Sequence, residues 1–387
     1  MVADTYVDHA ATTPVRPEVV EAMAPFFGPR FGNPSSVHRW GRDARAALDD
    51  ARESVAQCIN ARPDEICFVS GGTEGDNAAV LGAWRARRTF GRTAVVTTPI
   101  EHKAVLGTTH EAAREGADER LLDVDANGVV VESSFDALVR PDVAVCSVMW
   151  VNNEIGIQQS IPNLARLAHD RGVVFHTDAV QAFGKVHIDA GTQPFDLLTI
   201  SGHKIGAPKG IGALYARRGT MIEPLLRGGG QERGRRPGTE NLAFAVAFAK
   251  AAQLAVAERE TEVARLGRLR DALERALLTR VTDMVVNGCG GRRAPHILNV
   301  SVRGADSESL LMMLDQDGIA ASSGSACQSG SITPSHVLTA IGVMPELAAC
   351  SIRFSLGPLT TDEHITRVAD VFPGIVERGR RLAGLAA

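Results

Sequence analysis

From about residue 37 onward, short apolar runs alternate with stretches of helical period, and that rhythm limits the fold more than any other feature. Ala44, Ala47, Leu48, Ala51, Val55 and Ile59 form an apolar stripe at helical spacing. ICFVS (66–70) follows as a short buried strand, then the turn GGTEGDN and another helical segment. AVVTT (94–98), AVCSVMWV (144–151), VVFHTDA (173–179) and DLLTISG (196–202) each read as central strands, with GALYARR (212–218) as one more. Such continuous apolar strands, separated by helices, predict a mostly parallel sheet covered on both faces, an α/β fold. A single alanine-rich helical stretch is expected from about Asn241 to Leu278, handing the chain to a smaller α+β domain. HILNVSV (296–302) and SIRFSL (351–356) are its predicted strands. The expected division is a large domain over 16–262 and a small one over 1–15 and 263–387.

Composition narrows the class. With 387 residues, 44% of them hydrophobic, the chain can bury one large core and a smaller one. Its 41 basic and 45 acidic residues give no general reason to bind nucleic acid or an anionic membrane. No apolar run approaches the roughly 20 residues that span a bilayer. The opening MVADTYVDHAATTP lacks a basic region followed by an apolar one, so no signal peptide is expected and the cytoplasm is the expected location. Cys58, Cys67, Cys146, Cys289, Cys327 and Cys350 form no CxxC pair, which argues against a disulfide framework or a structural zinc site. Cys327 stands apart, because its surroundings, ASSGSACQSGS (321–331), cannot bury a useful apolar surface.

In α/β sheets ligands sit at the carboxyl ends of the strands, so the residues there are the ones to read. Gly71-Gly72-Thr73-Glu74 follows ICFVS and opens a helix. Backbone N–H groups at such a start can hold a phosphate, although alone a tight turn is the commoner reading. Asp178 follows VVFHT, where an N-cap is the ordinary role and a partner for a protonated pyridine nitrogen the functional one. Ser201-Gly202-His203-Lys204 follows DLLTI; lysines there are mostly solvated, but a pyridoxal 5'-phosphate enzyme needs one that forms a Schiff base. A phosphate cradle, an acid and a lysine in that order fit the three ends of that one cofactor.

The ordered motifs DHAATTP, FGNPSSVH, SGGTEGDN, EHKAV, VNNEIG, HTDAVQ, SGHK, RGGGQERGRRPGTEN, ILNVS, SSGSACQS and SIRFSLG cover nearly the whole chain. In them the chain resembles the NifS/IscS-like cysteine desulfurases, class V members of the fold-type I pyridoxal phosphate enzymes. The resemblance implies that Lys204 is the Schiff-base lysine and that Asp178 pairs with the pyridine nitrogen. It places His102 over the ring as a proton-transfer group, and Asn153 and Gln181 at the phenolic oxygen. Gly72, Thr73, Ser201 and His203 would bind the phosphate, with Thr239 reaching in from the second subunit of a homodimer. Arg353, with Asn153 beside it, would hold the carboxylate of L-cysteine, and Cys327 would take the sulfur as a persulfide. A small-residue tether suits a cysteine that must visit both substrate and acceptor.

Within the same resemblance, the arginine- and glycine-rich run Arg227–Arg236 reads as an interface loop rather than a nucleic-acid segment. Many relatives carry tyrosine two residues after the lysine, where this chain has Gly206 followed by Ala207. Only 30 residues follow Gly357, fewer than in the housekeeping bacterial members, which tilts the expected acceptor toward a specialised protein. The acceptor candidates are an iron–sulfur scaffold, a tRNA-thiolating enzyme and a DNA phosphorothioation system, each reached through another protein rather than by touching nucleic acid. A selenocysteine lyase or a class V aminotransferase is the alternative activity, and no resident metal is expected.

Overall fold

The computed structural model describes residues 4–323 and 334–384, so Cys327 lies outside the described residues. In chain order the strands are β1 (Thr5–Tyr6), β2 (Ile66–Val69), β3 (Ala94–Thr97), β4 (Asp118–Leu121), β5 (Val143–Ser147) and β6 (Val174–Asp178). They continue with β7 (Leu197–Ser201), β8 (Gly212–Ala216), β9 (Met284–Val286), β10 (Ile297–Val302), β11 (Ile319–Ala320) and β12 (Ser351–Ser355).

Seven of them make one sheet in the order β2-β8-β7-β6-β5-β3-β4. Strands β7, β6, β5, β3 and β4 run parallel, and β8 runs antiparallel to both β7 and β2. The sheet is therefore mostly parallel, and β2 points the same way as β7. β2, β3, β5, β6, β7 and β8 are buried along their whole length, which is why they read as unbroken apolar runs. AVCSVMWV is a strand only as far as Ser147; residues 148–151 are irregular, with Val151 in an isolated bridge to Gln158. Helix Gly72–Arg87 packs so closely on β7 that a Cβ at Gly75 would lie 2.6 Å from the Thr199 methyl.

The expected single helix over 241–278 is two helices, Leu242–Ala257 and Arg259–Arg280, meeting at Glu258. Arg16 grips Glu258 with both terminal guanidinium nitrogens, at 2.6 and 2.8 Å. That ion pair fixes the junction to the N-terminal segment, a cause that helix propensity does not contain. The second helix shares an apolar core with β10, β12 and the C-terminal helix Asp362–Leu382. Val7 belongs to that core too, and β1 pairs in parallel with β11. Among the described residues no helix is long and apolar enough to cross a membrane.

Candidate active site

Because β2, β3, β5, β6 and β7 all point one way, the residues after them converge at one sheet edge. There a cleft of about 650 Å³, within the range of small-molecule sites, is lined by Gly72, Thr73, His102, Asn153, Asp178, Gln181, Ser201, His203 and Lys204. Ala10, Asp76, Met149 and Val180 complete the wall. Reading strand ends locates Gly72, Thr73, Asp178, Gln181, Ser201, His203 and Lys204, the family resemblance adds His102 and Asn153, and nothing local in the sequence points to the second group.

At one end of the cleft, helix Gly72–Arg87 begins at Gly71, and among the described residues no side chain caps it. Thr73 and Ser201 bring hydroxyls to the same wall. His203, 3.2 Å from the Thr12 hydroxyl, has its pKa pushed down to about 4 by burial and by Lys204 and Lys209, and is neutral there.

Asp178 ends β6, is 5% exposed and accepts a hydrogen bond from the Val180 N–H at 2.8 Å. Burial raises its pKa, while His102 and Lys204 oppose that rise and favour the carboxylate. Lys204 donates to the carbonyls of Ala10 at 2.6 Å and Ala11 at 2.7 Å. Burial, helped by Arg353, pulls its pKa down to about 8, so a useful fraction is the free amine near neutral pH. His102 is exposed and caps helix Lys103–Arg114, its ring accepting from the Ala104 N–H.

Beneath the cleft lie further acids. Asp76 is 1% exposed with one oxygen unpartnered, and burial together with Asp178 raises its pKa strongly. Glu101 is fully buried, accepting from Thr98 at 2.7 Å and the Met149 N–H at 2.9 Å. Burial pushes its pKa up to about 8. The folded protein thus binds this proton more tightly than the unfolded chain. The stabilising contribution is complete below the ordinary value of 4.5 and is lost as pH rises through about 8. Glu101→Gln should therefore flatten the decline of the melting temperature between about pH 5 and 8. An unchanged slope in thermal melts across that range would refute the assignment.

Arg353, in β12, is 5% exposed and stands beside the cleft rather than in its wall. It donates to the Asn153 carbonyl at 3.0 Å and to Asp8 at 2.7 Å, and among the described residues its buried Nε has no partner. Asp8 is a partner that the sequence alone does not single out. Thr239 is exposed on the loop before helix Leu242–Ala257 and does not line this chain's cleft. Gly206 has φ +83°, and a Cβ there would meet the Arg16 stem at 2.7 Å, so Arg16 occupies the room a larger residue would need.

The cleft fits pyridoxal phosphate on its own features. An uncapped helix start with two hydroxyls suits the phosphate. A buried acid, its rise in pKa opposed by His102 and Lys204, suits the protonated pyridine nitrogen, and a desolvated amine suits the aldehyde.

A family model described as aminotransferase class-V matches residues 5–368. The chain is 44% identical to a cysteine desulfurase IscS of Dictyoglomus turgidum, over 99% of this chain and 97% of the relative. It is 46% identical to the cysteine desulfurase NifS of Azotobacter vinelandii, over 98% of this chain and 94% of the relative. A solved structure titled NIFS-like protein superposes with a TM-score of 0.90 at 33% identity, covering 97% of this chain and 99% of that one.

Proposed function

This chain belongs to the class-V aminotransferase family, and from that premise we propose that it is a pyridoxal-phosphate-dependent cysteine desulfurase. It converts L-cysteine to L-alanine and keeps the sulfur on Cys327 for an acceptor protein. The observation that carries the reading is the meeting of Asp178, Lys204 and the uncapped helix start in one cleft.

When bound, the cofactor supplies an electron sink that makes bonds to the substrate's Cα and Cβ easier to break. Asp178 would hold the pyridine nitrogen, His102 would lie against the ring, and Asn153 and Gln181 would serve its phenolic oxygen. Gly72, Thr73, Ser201 and His203 would hold the phosphate. Lys204 would hold the cofactor's aldehyde end, and its free amine would be the base that takes the Cα proton. Arg353, oriented by Asp8, binds the substrate carboxylate. His102 receives a thiol proton. The Cys327 thiolate then attacks the substrate sulfur: the S–S bond forms, the Cβ–S bond breaks, and protonation of the carbon fragment gives alanine. No oxidant is consumed.

In the proposed homodimer, Thr239 of each subunit reaches the neighbouring site. The division into 16–262 and 1–15 with 263–387 is supported by the apolar core shared by helix Arg259–Arg280, β10 and β12, which takes in Val7 and no residue of 16–262. The acceptor is a protein of an iron–sulfur, tRNA-thiolation or DNA-phosphorothioation route.

The test is a single turnover with L-cysteine and no added reductant. Alanine should appear with one equivalent of protein-bound sulfur, found by mass spectrometry on the peptide containing Cys327. Alanine without bound sulfur would point to a lyase, and no alanine would end the proposal. Faster turnover of selenocysteine than of cysteine would favour the alternative activity.

A further inference from the structure

Lys204 also borders a second cavity of about 590 Å³, with His9, Lys185 and His296 in its wall. His296 stands just before β10, is 1% exposed and does not line the cleft. It reaches the cleft through one residue. Its Nε2 lies 3.1 Å from Oε1 of Gln181, and Nε2 of Gln181 lies 3.0 Å from the carbonyl oxygen of Ala10, which also accepts from Lys204.

The donors and acceptors in this chain leave one arrangement. A backbone carbonyl only accepts, so the Gln181 atom beside Ala10 is its amide nitrogen. The amide oxygen therefore faces His296. That oxygen also only accepts, so Nε2 of His296 carries the proton and Nδ1 is bare. Among the described residues Nδ1 is buried and without a partner. Burial, and after it the charge of Lys185, keeps the ring neutral.

We propose that His296 is a positioning residue, whose Nε2–H fixes the Gln181 amide so that its nitrogen, not its oxygen, serves the cofactor cleft. The inference rests on the reading of the cleft as a pyridoxal phosphate site. One hydrogen of the Gln181 amide is taken by Ala10, and the other remains for the ring's phenolic oxygen. A hydrogen bond to that oxygen favours its anion, and losing the bond favours the neutral phenol, which absorbs at shorter wavelength.

Two substitutions separate donor from packing. The terminal nitrogen of glutamine extends as far as Nε2 of histidine, whereas that of asparagine extends only as far as Nδ1. In purified holoenzyme, His296→Gln should keep the wild-type visible maximum. His296→Asn should move it to shorter wavelength and weaken cofactor retention about ten-fold. A common maximum for all three proteins, or equal shifts in both variants, would overturn the proposal. A wild-type protein with no visible band would instead overturn the functional reading itself. Should His296→Asn fail to fold, ¹⁵N-histidine NMR of the wild-type holoenzyme decides the matter. A neutral ring protonated at Nε2 is expected, and the opposite tautomer refutes it.

Discussion

Lys204→Ala should lower L-cysteine turnover by about 10³-fold or more and remove the visible absorption of the bound cofactor. Lys204 is placed for covalent work by three separate features. It follows β7 within a single turn of 3-10 helix, at the edge where the cleft opens. Its ammonium is held by two carbonyls of the N-terminal segment, which fix its direction without neutralising it. Burial then brings its pKa to about 8, so deprotonation near neutral pH costs little. Alanine keeps none of this. Lys204→Arg is the informative control, since it restores a cation and its hydrogen bonds but offers no nucleophilic amine. Both variants should be inactive and colourless at the visible band. A Lys204→Ala protein with an unchanged visible spectrum would assign the cofactor to some other group.

Glu232→Ala should destabilise the protein by about 3–5 kcal/mol. Arg52 and Glu232 form a two-pronged ion pair at 2.6 and 2.8 Å, with side chains 5% and 2% exposed. Glu232 also accepts from the Phe68 N–H of β2, and Arg52 donates to the Ile66 carbonyl. The carboxylate thus ties the 227–241 loop to the helix Arg39–Cys58 and to the sheet. Its removal strands a buried guanidinium, which is the costly part. The backbone adds to the effect. Glu232 and Arg233 have φ of 47° and 57°, a left-handed conformation that side chains disfavour, and the ion pair holds it in place. Urea unfolding should show the full loss in Glu232→Ala. The double variant Arg52→Leu with Glu232→Leu should recover much of it, because no lone charge remains buried. A single-variant loss under about 1 kcal/mol would show the pair to be solvated and energetically idle.

Where sequence reasoning succeeded and failed follows from how each element is held. β5, β6 and β7 are buried on both faces, so their apolar runs announce them. β4 is Asp118-Glu119-Arg120-Leu121, a charged strand at the sheet's edge that among the described residues pairs only with β3. Its polar side chains protect an exposed edge and hide the strand from any hydrophobic pattern. The break at Glu258 is invisible for a similar reason, since residues on both sides favour helix and the deciding partner, Arg16, is 242 positions away.

The sequence by itself determined the mostly parallel sheet, the end of the sheet where the cleft opens, and the acid, lysine and helix start that line it. These follow from local rules: burial sets strand composition, and parallel strands end together. The tertiary structure decided which hydrogen bonds and charges tune those groups. Ala10 and Ala11 hold Lys204, Asp8 orients Arg353, Arg16 fills the space over Gly206, and His296 turns Gln181. Each of these contacts joins segments far apart in the chain, and a backbone carbonyl or a ring tautomer carries no mark in the sequence. Only folding, by removing water from around them, gives such contacts their energy.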